Sequence, residues 1–315
     1  RGDVWFDGKT KNPWDTTQGA SGSSAGSGSA TSAGLVPYSL GTETLGSILS
    51  PSTRNGITGL RPTYGRVSRH GVMSLSWSMD KVGPMTRSAE DCAIVYSVIT
   101  GKDPKDGMTT DFPDGFEPNK DYKSLKVAYL KNDIEKDSSL SKENLDNAVK
   151  KFEDMGITLH AVELPKDVPY NSFDIILRAE AGAFFDDMVR AEEVDKMVEQ
   201  HQRSRANSLR QARFIPAVEY IQANRQRQVL IEKMQAVMKD YDVLISPSSG
   251  NRLSIITNLT GHPAISIPTG LDEKKHPTSI TLISNLYDEA SILLLAKAFQ
   301  DQTDFDEMHP EGYTD

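Results

Sequence analysis

The sequence predicts a layered α/β fold. Three observations lead there. Strand-like and helix-like segments alternate along most of the chain, which is the pattern of helices packed on a sheet. Residues 125–164 read as a complete strand–helix–strand unit, which implies a parallel pair joined by a right-handed crossover. With 315 residues, the chain can bury about three quarters of the surface it exposes when unfolded, enough for a layered core.

The elements follow in order. Residues 1–18 are polar around Trp5 and Trp14 and read as irregular, with Asn12-Pro13 as a turn signal. Residues 19–34 are all Gly, Ala, Ser or Thr, a linker-like composition. The run lies near the chain's start, however, and passes directly into the strand-like Leu35–Leu40 and a second small-residue turn, Gly41–Ser47. Beyond Gly56, short strand-like pieces are expected at Ile57, Leu60, Tyr64–Val67 and Val72–Leu75. Ser88, three residues before Asp91, marks a helix start. Cys92, Ala93, Ile94 and Val98 are expected on its inner face. Residues 103–123 read as a surface loop.

The strand Leu125–Leu130 follows, then a helix Ser141–Met155 with Leu145, Ala148, Val149 and Phe152 on one face. Gly156 stands where a left-handed cap ends it, and Ile157–Leu164 is the next strand. Residues 170–240 read as long helices, with Phe173, Ile176, Leu177, Phe184 and Phe185 apolar and Pro216 opening a new helix. Strands at Asp242–Ser246, Ala264–Ile267 and Ser279–Ile283 and a helix at Tyr287–Gln302 close the chain.

Composition removes several classes of function. The longest apolar run is Ile292–Ala296, so no membrane helix is expected. A net charge of −9 without a dense basic stripe argues against nucleic-acid binding. The arginines 203, 205, 210, 213, 225 and 227 are read as a solvated helix face. Six histidines and one cysteine, none paired at ligand spacing, give no metal site, and no cofactor is expected. Cys92 reads as a small core residue. The single cysteine points to a reducing, cytoplasmic setting. Residue 1 is Arg with no signal-peptide pattern after it, so the natural chain is expected to start earlier, and an export signal could precede it.

Two serine-bearing turns remain: Gly22-Ser23-Ser24-Ala25-Gly26-Ser27 and Gly41-Thr42-Glu43-Thr44-Leu45-Gly46-Ser47-Ile48. Small residues let backbone approach a ligand closely, and consecutive N–H groups in the second turn can bind an oxyanion. The plainer reading is two tight turns whose serines satisfy backbone groups. The first lacks the preceding strand that a nucleophile elbow needs. Without a lysine in the run there is no Walker loop.

These turns, with Gly59-Leu60-Arg61-Pro62-Thr63-Tyr64-Gly65-Arg66-Val67-Ser68, Ser78-Met79-Asp80-Lys81-Val82-Gly83-Pro84-Met85 and Asn258-Leu259-Thr260-Gly261-His262-Pro263-Ala264, resemble the amidase signature family. The resemblance implies one amidase domain over 1–315, with a mixed sheet flanked by helices and a helical sub-region at about 170–240. It implies hydrolysis of a small-molecule carboxylic amide through an acyl-serine intermediate. Ser47 would be the nucleophile and Ser23, after a cis Gly22–Ser23 bond, the bridging serine. Ser24 would hold the bridge, and the N–H groups of Thr44, Leu45, Gly46 and Ser47 would form the oxyanion hole.

The family's catalytic lysine lies many tens of residues before its bridging serine, so it is expected upstream of these residues. Lys9 and Lys11 read as exposed loop lysines. Leu45 and Leu49 depart from the usual family residues and are expected to alter the substrate pocket. Two alternatives stay open. One is the glutaminase subunit of a tRNA-dependent amidotransferase, against which stand the short Pro247–Asn258 connection and the acidic charge. The other is a disabled member that binds acyl or amide ligands.

Overall fold

A computed structural model describes residues 4–5, 8–113, 115–249 and 252–313. Its frame is an eight-stranded mixed sheet. The strands are β1 (Tyr38–Glu43), β2 (Thr58–Arg61), β3 (Lys81–Thr86), β4 (Val127–Tyr129), β5 (Leu159–Ala161), β6 (Val243–Pro247), β7 (Ala264–Leu271) and β8 (Pro277–Ser284). Their spatial order is β1-β3-β2-β7-β8-β6-β4-β5. The pairs β6–β4 and β4–β5 are parallel, as a crossover connection demands. The remaining five pairs are antiparallel.

Alternation along the strands divides the core in two. Ile265, Ile267, Ile280, Leu282, Val243 and Ile245 face one side. There they meet helices α3 (Ala89–Ile99), α4 (Lys142–Asp154) and α9 (Glu289–Gln300). Leu244, Ala264, Ile283 and Ala128 face the other. That side is covered by α2 (Leu49–Asn55), α5 (Asp174–Phe184), α7 (Ala217–Met238) and α8 (Leu253–Thr260), and α6 (Arg205–Ala212) packs on α5. A strand buried on both faces reads as a near-continuous apolar run, and β6 and β7 do so. Burying each large side chain contributes about 1.5–3 kcal/mol.

Local signals act as expected at several ends. Ser88 accepts from the Asp91 N–H and caps α3, Gly156 has φ of 87°, and Pro216 precedes α7. Other expectations are corrected. Residues 1–18 are not irregular throughout: short antiparallel ribbons pair Val4–Trp5 with Gly8–Lys9 and Lys11 and Asn12 with Gly19 and Asp15, while residues 1–3 and 6–7 lie outside the described residues. Of the pieces after Gly56, only Thr58–Arg61 is a strand, and Val67 makes one isolated bridge to Thr100. Val72–Leu75 is irregular, its N–H groups turned to Asp80 and Arg69. In α3, Ile94 and Val98 are 60% and 80% exposed. The face that packs is the one with Cys92, Ala93 and Tyr96, whose small residues let α3 approach the sheet and α9. Phe184 is likewise exposed. Among the described residues, no helix is long and apolar enough to cross a membrane.

Candidate active site

The Gly/Ala/Ser/Thr run is no linker. It carries a helix, α1 (Ala25–Ser32), against β1 and α2. Its residues are small because its neighbours are close. A Cβ on Gly28 would lie 2.9 Å from Asn55 Nδ2, and one on Gly41 of β1 would lie 2.7 Å from Met85 Sδ and 3.0 Å from Ser24 Oγ. The hydroxyls replace side-chain packing with bonds: Ser27 donates to the Leu40 carbonyl at 2.8 Å, and Ser39 donates to the Ser27 carbonyl at 3.1 Å.

Just before α1, the Gly22–Ser23 peptide bond is cis. Ser24 fastens this segment to β1: its hydroxyl donates to the Thr42 carbonyl at 3.2 Å and accepts from the Thr42 N–H at 3.1 Å. The Ser24 N–H donates to the Ser47 carbonyl at 3.2 Å, so the two serine turns are in direct contact. Ser23 is exposed and Ser47 half-buried. Their hydroxyls are not hydrogen-bonded to each other, and the backbone joins the two turns instead.

The second turn begins where β1 ends at Glu43 and passes into α2 through Gly46, whose φ is +82°. Among the described residues, the N–H groups of Thr44, Leu45, Gly46 and Ser47 have no protein acceptor, so all four remain available as donors. The geometry rests on residues that sequence reasoning missed. The Glu43 carboxylate accepts from Ile48 and Leu49 N–H at 2.8 and 3.0 Å. Its other oxygen accepts from Arg61 Nη1 at 2.7 Å and Asn258 Nδ2 at 2.8 Å. Burial alone would raise the Glu43 pKa; the Arg61 guanidinium and these hydrogen bonds outweigh it and hold it at about 2. Arg61 also donates to the His262 carbonyl at 2.7 Å. The signal available in the sequence was an acidic residue inside a small-residue turn and an arginine in an apolar strand, with nothing to pair them.

Thr44 donates to Asp80, whose second oxygen accepts from Ser74 Oγ and the N–H groups of Leu75 and Ser76 at 2.7–2.9 Å. Lys81 stands opposite Glu43 in the β1–β3 register. Its buried amine donates to the Met79 carbonyl. Burial first, and Arg61 second, push its pKa well below that of an ordinary lysine. Ser23, Thr42, Thr44, Asp80 and Lys81 share one cavity of about 510 Å³ with Trp77 on its wall. The sequence reading placed Lys81 in a motif but gave it no role; Lys9 and Lys11 are exposed, as expected.

Other candidates settle into structural places. Burial pushes the Cys92 thiol up to about 12, which makes it inert. Burial and Arg61 keep His262 down at about 4, neutral at pH 7, with its ring bonded to Thr260 at 2.7 Å. Arg227 leaves the solvated face assigned to it and ties α7 to Ser78 at 2.8–2.9 Å and to the Leu259 carbonyl. No group of three or more His, Cys, Asp or Glu that could hold a metal occurs among the described residues.

Comparison with known proteins bears on this arrangement. Residues 4–252 match the family model described as Amidase. Similar curated proteins include the glutamyl-tRNA(Gln) amidotransferase A subunit of Cupriavidus metallidurans, 32% identical over 361 residues, covering 95% of this chain and 71% of that protein. The protein of the same name from Syntrophomonas wolfei is 31% identical, with 96% and 70% covered. Among solved structures, the native peptide amidase of Stenotrophomonas maltophilia superposes with a TM-score of 0.81 at 24% identity, covering 98% of this chain and 70% of that one, and shows likeness of fold. The glutamyl-tRNA(Gln) amidotransferase A subunit of Thermotoga maritima superposes at 0.77 with 27% identity, covering 95% and 70%. The chain thus spans about 70% of the length of these relatives.

Proposed function

Because the chain belongs to the amidase family, we propose that it hydrolyses the C–N bond of a carboxylic amide through an acyl-Ser47 intermediate. The observation that carries this is the contact between the cis-Ser23 segment and a turn whose Thr44, Leu45, Gly46 and Ser47 N–H groups have no protein acceptor. An amide is a poor electrophile, so the Ser47 hydroxyl must lose its proton as it attacks. That proton passes by way of Ser23 to a base, which the family resemblance makes a lysine amine. The carbonyl oxygen becomes an oxyanion held by these N–H groups, each donor of this kind contributing about a hundred- to a thousand-fold in rate. The C–N bond breaks, the amine leaves with the returned proton, and water releases the acid from Ser47. Glu43 fixes the turn before substrate arrives, so no rearrangement is needed at the moment of reaction. The test is Ser47→Ala: turnover of amides and labelling by a serine-directed fluorophosphonate should both vanish, with unfolding unchanged. Turnover retained in that variant refutes the assignment.

A second reading is favoured by the curated relatives, which are named as amidotransferase A subunits. Here the amide is that of glutamine and the ammonia is passed to a partner enzyme. Sequence similarity weighs towards it. Ammonia release from glutamine that rises on adding partner proteins and charged tRNA supports it; glutamine inert under those conditions removes it.

A further inference from the structure

A second cavity lies beside the turn that carries Ser47. It has a volume of about 260 Å³, and Leu45, Met79, Tyr170, Phe173, Ile255 and Leu259 form its wall. Met79, Phe173 and Leu259 are each at most 3% exposed. The polar residues that border it, Asn171 and Asp174, are themselves exposed. Asp174 is already paired with Arg178 along α5. Leu45 belongs to two structures at once: its N–H is one of the four without an acceptor, and it lines the cavity. The start of α8 keeps the two together, since Ser254 Oγ would lie only 3.3 Å from a Cβ on Gly46, while Ile255 and Leu259 of the same helix line the cavity.

The geometry points to this cavity as the subsite for the acyl group, and to an uncharged apolar acyl group as its occupant. The inference rests on the acyl-Ser47 reading and adds the substrate class to it. A carbonyl whose oxygen sits on the N–H groups of 44–47 stands next to Leu45, which lines the cavity. The space has room for a pentyl or phenyl substituent. The buried part of the wall holds no charged side chain: Asp174 stands exposed at its border, paired with Arg178, and Arg252 lies over the Tyr170 ring. Glutamine would bring an ammonium and a carboxylate into the cavity, and both would lose hydration against the buried apolar wall. An alkyl chain gains about fourfold per buried methylene.

The experiment measures kcat/KM of the purified protein for acetamide, butyramide, hexanamide, benzamide and glutamine by ammonia release, alongside fluorophosphonate labelling of Ser47. Hexanamide should exceed acetamide on the order of a hundredfold, and glutamine should fall well below hexanamide. Ile255→Trp, which fills the cavity, should bring the hexanamide-to-acetamide ratio at least tenfold towards unity, while Ile255→Val keeps it; thermal melting and Ser47 labelling report that each variant is folded. A flat series, glutamine preferred to hexanamide, or a ratio unmoved by Ile255→Trp overturns the subsite while leaving acyl-serine chemistry standing. No turnover of any amide together with no labelling of Ser47 overturns that chemistry, and the subsite with it.

Discussion

Glu43→Gln is the most informative single perturbation of the turn. The amide keeps the shape of the carboxylate but carries two donors on one side. Each Glu43 oxygen accepts two bonds, one from Arg61 and Asn258, the other from Ile48 and Leu49 N–H. Either placement of the amide therefore turns two of four bonds into donor–donor contacts. Arg61, fully buried, also loses its counter-charge. Breaking a buried pair from one side costs about 3–5 kcal/mol. Titration gives a similar figure: a carboxyl held at about 2 against an ordinary 4.5 corresponds to about 3 kcal/mol. The sign follows from proton binding. The folded pKa is the lower one, so between about 2 and 4.5 the unfolded chain holds more protons, and the stabilisation present above 4.5 is lost as pH falls through that window. Urea unfolding at pH 7 should find the variant about 3 kcal/mol less stable, and the gap should narrow towards pH 3. Displacing the turn that carries Ser47 should lower kcat about a hundredfold. A gap below about 1 kcal/mol at pH 7, or one that stays constant down to pH 3, refutes the role given to Glu43.

Other outcomes are expected. Gly83→Ala places a Cβ 2.0 Å from the Leu60 carbonyl oxygen, where backbone cannot yield, and should lose about 1–3 kcal/mol in denaturant unfolding; a loss under about 0.5 kcal/mol contradicts that packing. Ser24→Ala removes both hydroxyl bonds to Thr42 and should cost about 1–2 kcal/mol with a clear fall in kcat; kcat equal to wild type would show that Ser23 needs no such fastening. For Lys81, the buried amine has a pKa below the ordinary 10.5, so the unfolded chain holds more protons and wild-type stability rises with pH up to about 10.5. Lys81→Met should therefore be the more stable protein at pH 7, with its advantage shrinking by pH 10. Urea midpoints at the two values check this, and a pH-independent difference refutes it.

Much of this was legible in local sequence, and the rest was not for definable reasons. The 125–164 crossover declared itself because its apolar spacing and Gly156 cap are local. Both serine turns were visible as motifs, and the fold brings Ser23, Ser24 and residues 44–47 together. Helix α1 was hidden because glycine and serine are poor helix formers; close contact with Asn55 and Pro51 selects them, and contact is not written in the run itself. The inner face of α3 was misread because small residues, not Ile94 and Val98, make the approach to α9. The Glu43 network was invisible because its partners stand 18 and 215 residues away.

That last separation also sets an order in time. During synthesis Ser47 leaves the ribosome about two hundred residues before Asn258 and His262, which complete the shell around Glu43 and Arg61. Until β7 has paired with β2 at Ala264 and Arg61, the buried arginine and glutamate lack part of their housing, and the turn has no fixed shape. A nascent or truncated chain ending before α8 thus carries the Ser47 turn without the residues that hold it. The topology leaves the shell around the turn incomplete until the residues near 260 have been made.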